Sequence, residues 1–309
     1  MAALTIVEAA KLESGLELRR AISELYAGSS GILEVLPFMN IAGNALKHNR
    51  EAALPGVGFR GVNEAYDTSV GVLNPIVDSL VIAGGDLDVD TFITQTQGMQ
   101  QRAIHEAMKV RALSLSWTDK FINGDSIARP KEFDGLKARI ADSQVISAGT
   151  TANGAALSLD KMDEAIDEVL FPTHIIMNKA MKRKFIKAAR TTSVSGNVTQ
   201  EKDEMGKTVH MYNGLPIIAL DKNEAGANIL GFNEASSSGT ATSTSIYVVS
   251  LGDGGVVGLQ NGGIDVRDLG ELDTAPLYRT RIEWFSGMAV FNAKAASRIK
   301  FIGDLDIVA

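Results

Sequence analysis

The chain has 309 residues, 45% of them apolar and 6% aromatic, so one large domain or two interleaved ones with a genuine core are expected. With no cysteine there is no disulfide framework, thiolate metal site or cysteine nucleophile, and a reducing compartment suits the chain. A net charge of −7 argues against broad affinity for nucleic acid and leaves room only for local contacts.

The opening MAALTIVEAAKLESGLELRR carries acids where a secretory signal needs a basic segment, and no apolar run reaches the roughly 20 residues that span a bilayer. Synthesis in the cytoplasm and no membrane contact are expected. Residues 4–26 show a patchy amphipathic helix pattern through Leu12, Leu16, Ile22 and Leu25, ended by Gly28 and Gly31. ILEVLPFMNIAGNAL then reads as extended. Pro37 lacks an amide donor, which favours an edge strand or an arm, and residues 1–45 are read as an arm packing on something else.

The stretch from 46 to 85 is broken by Gly, Pro and Asn and reads as strands joined by turns. Val57 and Phe59 alternate with glycines, and Asp67–Ser69 supply a turn before Val70, Val72 and Leu73. With limbs of about 12 residues, such a hairpin could reach on the order of 40 Å. From Val89 the period becomes helical, with Phe92, Ile93, Ile104, Met108, Val110 and Leu113 on one stripe and Asp88 or Asp90 as N-cap. Gly98 is a mild weakness, and Asn123–Asp125 stop a helix close to 30 residues and about 45 Å long. A long thin hairpin joined to a long helix cannot cover both of its own faces, so the pattern points to assembly before catalysis.

Residues 123–157 are rich in loops, with FDGLKARI as a short helix. Helices follow over 159–170, capped by Ser158 or Asp160, and from Asn178 to Arg190, with HIIM between them as a short strand. TVHMY, LPIIAL, SIYVVSL, GVVGL and IDVRDL read as strands, whereas 191–206 and 223–245 are polar loops. RTRIEWFSGMAVF is a long bent strand or strand pair, with a short helix expected over 292–300. Without regular strand–helix alternation, the class is α+β.

Catalytic and metal signals are weak. His48, His105, His174 and His210 have no ligand spacing, and His105 beside Glu106 reads as a solvated face. Asp86, Asp88 and Asp90 begin like a calcium loop, but Thr91 and Gln97 stand where Gly and Glu are required, so helix capping accounts for them better. GDGGVVG and GLQNGG match no phosphate or dinucleotide fingerprint. No enzyme activity and no cofactor are expected. One basic cluster stands out: Lys179, Lys182, Arg183, Lys184, Lys187 and Arg190 share a helix without an acid. Last-turn cations favour the helix dipole, which accounts for Lys187 and Arg190; the others suggest contact with DNA or an acidic partner.

ISELYAGSSGILEVLPFMNIAGNAL, REAALPGVGFRGVNEAY, NPIVDSLVIAGGDLDVDTFI and RIEWFSGMAVFNAKAASRIKFI, in this order, resemble the major capsid proteins of tailed bacteriophages. Those proteins share the Hong Kong 97-type fold with encapsulins. The resemblance covers most of the chain, least of all 191–245, and no single motif is diagnostic. It implies an N-terminal arm (1–45), an extended-loop hairpin (46–85), a peripheral domain (86–157) with a spine helix (89–122), an axial domain (158–269) and a C-terminal return to the peripheral domain (270–309). It implies an icosahedral shell of pentamers and hexamers enclosing phage DNA, located in the virion after assembly in the host cytoplasm. In that shell Val57, Phe59, Arg60, Tyr66, Val70 and Val72 would meet a neighbouring subunit. The implied partners are further copies of the chain, a scaffolding protein, a portal and decoration proteins. An encapsulin-like compartment around a cargo enzyme is the alternative. Some relatives crosslink an extended-loop lysine; here Lys47 lies at the base of the loop, and no crosslinking motif carries over.

Overall fold

The computed structural model describes residues 4–5, 30–97, 100–190, 198–202 and 208–308. Most of the expected 4–26 helix, Gly98, and parts of the 191–206 loop lie outside them. Two sheets organise the rest. The six-stranded sheet contains β1 (Leu4–Thr5), β2 (Pro37–Asn40), β5 (Val81–Asp90), β13 (Val256–Gln260), β14 (Asp265–Leu272) and β15 (Ala275–Val290). β15 is its 16-residue backbone: β5 runs antiparallel along one edge from Leu277 to Ser286, and β14 and β13 share the other. Gly84 is required in β5, because a Cβ there would lie 2.2 Å from the Ile282 carbonyl oxygen.

Residues 31–45 do not behave as an extended arm. They open with a short helix, α1 (Gly31–Val35), whose Ile32 and Leu33 are fully buried, and continue into β2, parallel to β13. Phe38 of β2 lies 5.5 Å from Trp117 and 5.4 Å from Trp284, within the main core. Pro37 is tolerated at the first position of a strand, where its missing amide is least costly.

β3 (Ala45–Ala53) and β4 (Val72–Ser79) form a separate two-stranded antiparallel ladder. The hairpin is therefore present, but its paired limbs lie nearer the body than the pattern suggests. Residues 54–71, where Val57 and Phe59 were expected to build one limb, contain no strand. Pro55 and Gly56, Gly58, Gly61 and Gly71 supply too few strand-forming residues there.

The long helix also starts later than its period suggests. Val89 belongs to β5, opposite Tyr278, and helix α2 (Thr91–Gln97) follows, then α3 (Gln100–Asn123). Pairing along β15 overrides the helical period at Val89. Asp90 does cap, its Oδ1 accepting from Phe92 N at 2.7 Å. Asp86 and Asp88 do not cap; they face Arg281 and Arg279 across the ladder. The expected stripe is split as well: Val110 is buried and Leu113 half-buried, while Phe92, Ile93, Ile104 and Met108 face solvent; Trp117 and Phe121, outside that stripe, are buried in the core.

The eight-stranded sheet runs β6 (Val145–Ser147), β16 (Ala296–Ile302), β12 (Ala241–Val249), β7 (His174–Asn178), β10 (Leu215–Leu220), β9 (Thr208–Tyr212), β8 (Val198–Lys202), with β11 (Glu234–Ala235) on β12. Several of these strands correct the sequence reading. β8, and β11 with the start of β12, occupy stretches read as loops, and β16 replaces the helix expected over 292–300. β16 buries Ala296, Ser297, Ile299 and Ile302 and pairs with both β12 and β6, so its sheet partners decide its conformation rather than the helix formers Ala295 and Lys300. The last fifth of the chain is thus divided between the two sheets. Helices α4 (Leu136–Arg139), α5 (Leu159–Asp167) and α6 (Lys179–Ala188) follow the sequence signals. Ser158 accepts from Asp160 N at 3.2 Å, and Asn178 Oδ1 accepts from Met181 N at 2.6 Å.

Candidate inter-subunit surface and basic helix

The hairpin's outer loop leaves apolar side chains in water. Phe59 is 104% exposed, Val62 92%, Val57 90% and Val70 88%. Tyr66, Val72 and Leu54 are also exposed. Polar bonds hold the loop in shape: Gly61 N donates to Glu64 Oε2 at 2.8 Å, Ser69 Oγ donates to Gly56 O at 2.8 Å, and the Arg60 guanidinium lies 5.0 Å from the Tyr66 ring. The loop is ordered by its own contacts and then presents its apolar groups outward. All six residues singled out in this loop are exposed; Leu54 and Val62 join them and follow from the same composition.

A buried polar cluster anchors the base of the hairpin; its members are far apart in the chain, so no local pattern marks it. Arg139 Nη1 donates to Asp78 Oδ1 at 2.6 Å, and His48 Nδ1 stands 3.7 Å from Asp78 Oδ2. Arg50 Nη2 donates to Val290 O at 2.5 Å, tying the ladder to β15, and the His48 ring meets Phe291 edge-on at 4.9 Å. Burial pulls the Arg50 guanidinium below its ordinary value; Asp78 opposes this and Arg139 adds to it. A cavity of about 370 Å³ adjoins this cluster, lined in part by Arg50, Asp78, Asp134 and Arg139.

The basic cluster does occupy one helix, α6, with Arg190 just beyond its end. Met181, Phe185 and Ala188 point into the core, and the cations lie on the other faces. Lys179, Lys184 and Lys187 have acidic partners within the chain. Lys179 bonds Asp221, Lys184 Nζ donates to Asp304 Oδ1 at 2.5 Å and to Leu305 O at 2.8 Å, and Lys187 Nζ donates to Asp306 Oδ2 at 2.7 Å. The Lys187 ammonium holds the Asp306 carboxyl below its ordinary range. Lys182 lies near His210, whose imidazole is lowered by burial and then by that charge. Arg183 and Arg190 are exposed. Part of the acidic partner anticipated for this helix is therefore the chain's own 304–306 segment.

Among the described residues no group of three or more His, Asp or Glu is arranged to hold a metal ion. His105 is exposed on α3, His48 lies in the hairpin cluster, and His174 is partly buried beside Thr173 Oγ1 at 3.0 Å.

Nothing matches the chain among protein-family models or curated protein sequences. Solved structures do match. The chain is similar to the holo-SrpI encapsulin complex from Synechococcus elongatus PCC 7942, with a TM-score of 0.65 at 17% identity over 98% of this chain and 97% of that one. It is similar to the capsid of an empty GTA particle, with a TM-score of 0.61 at 12% identity over 89% of this chain and 90% of that one. A structure from Mycobacterium phage Adephagia matches with a TM-score of 0.59 at 10% identity over 97% and 96%. The fold is the α+β Hong Kong 97-type shell fold. A GTA-particle capsid, a mycobacterium phage structure and an encapsulin complex match it over 89–98% of this chain.

Proposed function

We propose that the chain is a non-enzymatic shell subunit, and specifically a major capsid protein that self-assembles around phage DNA. The observation that carries this reading is the loop at 54–71, whose Val57, Phe59, Val62 and Val70 have no cover from their own subunit. Burying a Val or Phe side chain is worth about 1.5–3 kcal/mol, so these four supply on the order of 6–12 kcal/mol gross, before ordering costs, when a neighbour covers them. A two-stranded ladder is marginal alone and gains support from such a neighbour. Copies joined head to tail make heterologous contacts that close into rings, and rings of five and six close a shell.

In this reading the hairpin of 46–85 is the extended loop, and the six-stranded sheet with α3 is the peripheral domain. The eight-stranded sheet is the axial domain, with β16 belonging to it. Scaffolding protein, portal and decoration proteins are the expected partners, and the virion the expected location. The acidic chain suits a wall that adheres weakly to packaged DNA, with α6 as a local contact.

The encapsulin-like reading has its own support in the match to the SrpI complex along 98% of the chain. Size-exclusion chromatography with negative-stain microscopy tests the shell, and the contents separate the two readings. Shells holding nucleic acid support the capsid, and shells copurifying with one protein cargo and no nucleic acid support the compartment.

A further inference from the structure

The segment after β16 is held to the body at both ends by backbone hydrogen bonds. Gly303 N donates to Ala155 O at 2.8 Å, Val308 N donates to Leu157 O at 2.9 Å, and Leu159 N donates to Val308 O at 3.1 Å. Ile307 packs against the second core cluster. Between these anchors the chain presents Asp304 and Asp306 to Lys184 and Lys187 of α6, with both carboxylates 68% exposed. Neither aspartate is needed to fasten the segment, since the backbone bonds and Ile307 do that. Their visible contacts are with cations of α6.

We propose that Asp304 and Asp306 act as an internal mimic of a nucleic-acid backbone, occupying two lysines of α6 and thereby holding its affinity for DNA low. This rests on the reading of α6 as a local DNA contact. Nucleic acid fits the helix better than an acidic protein does. The outward residues of α6 include the exposed Arg183 and Lys187, with Arg190 just beyond, and no exposed aromatic or large apolar anchor. Protein interfaces draw their affinity from such anchors, whereas phosphate contacts require only placed positive charge. The exposed Lys187–Asp306 pair is weakly held and screened by salt, and the Asp304 carboxylate on the more buried Lys184 is itself 68% exposed, so a strand with many phosphates can displace these carboxylates. A shell subunit gains from this arrangement: DNA engages α6 only at the high local concentration inside a filled particle.

The test uses the full chain and a fluorescent DNA duplex, with anisotropy followed across a salt series. Asp304→Asn with Asp306→Asn frees Lys187, while Lys184 keeps its bond to the Leu305 carbonyl, so the log affinity against log salt slope should steepen by about 0.9. That corresponds to roughly a three- to fourfold larger loss of affinity between 50 and 200 mM salt, with tighter binding at the low end. Adding Lys184→Gln and Lys187→Gln should abolish the gain. If the aspartate variant binds as the parent does while Lys182→Gln with Arg183→Gln weakens binding, the mimic is wrong and the DNA contact stands. If none of these substitutions changes binding, both are wrong. A gain seen with poly-glutamate and not with DNA overturns the proposal in favour of an acidic protein partner. Retained circular dichroism in each variant excludes unfolding as the cause.

Discussion

Glu234 is a largely buried carboxylate held in a network rather than a single pair. Arg298 Nη2 donates to its Oε2 at 2.8 Å, the Ser245 hydroxyl donates to the same oxygen, and Lys137 of α4 approaches Oε1 at 3.4 Å. Burial opposes its ionisation, but Arg298, Ser245 and Lys137 outweigh that and hold the carboxyl below its ordinary range. A depressed carboxylate contributes stability above its unfolded value, about 4.3, and loses it as pH falls through the folded value. His174 acts in a higher window. Burial pushes it down to about 4 from 6.5, so the unfolded chain takes up a proton that the folded one refuses. Stability is then complete above about pH 6.5 and falls toward pH 4, by at most about 1.4 kcal/mol per pH unit. Urea titrations across pH should show both slopes. His174→Gln should flatten the upper one, and Glu234→Gln should cost on the order of 3 kcal/mol at neutral pH and erase the lower one. Unchanged profiles in either variant would contradict the assigned cause.

At the scale of elements, the hairpin separates into a fastened base and an uncovered loop, and the two halves should respond differently to change. Removing the carboxylate with Asp78→Ala leaves Arg139 and His48 without their shared partner at a buried site. It should cost about 3–5 kcal/mol in urea unfolding. Replacing residues 54–71 with a short turn should leave the thermal midpoint within a few degrees and abolish particles in the microscope. An equal loss of stability from both changes would show that the outer loop packs on its own body. Trp117→Ala, within the aromatic cluster of Phe38, Phe121, Phe133 and Trp284, should cost about 3–5 kcal/mol.

The same elements show what the sequence could reveal. Caps at Ser158 and Asn178, the short HIIM strand and the exposed apolar residues of the loop were legible, because each signal is local. Val89 and residues 296–302 were misread because their conformation depends on β15, β12 and β6, and local helix formers say nothing of distant partners. Asp78 with Arg139, and Asp304 with Lys184, could not be read from spacing at all, since 61 and 120 residues separate the members of each pair.

For the whole molecule, the two sheets pack around one aromatic core, and among the described residues the hairpin loop carries the largest group of uncovered apolar side chains. That division leaves one hairpin loop with uncovered apolar side chains, which the proposed assembly would cover. The most direct test is electron microscopy and sedimentation of the purified full chain, alone and with Phe59→Asp. The parent chain should form rings or closed shells, and the variant should remain a folded small species with an unchanged thermal midpoint. A parent chain that sediments as a stable monomer at concentrations suited to assembly, with residues 54–71 protected from protease, would contradict the account.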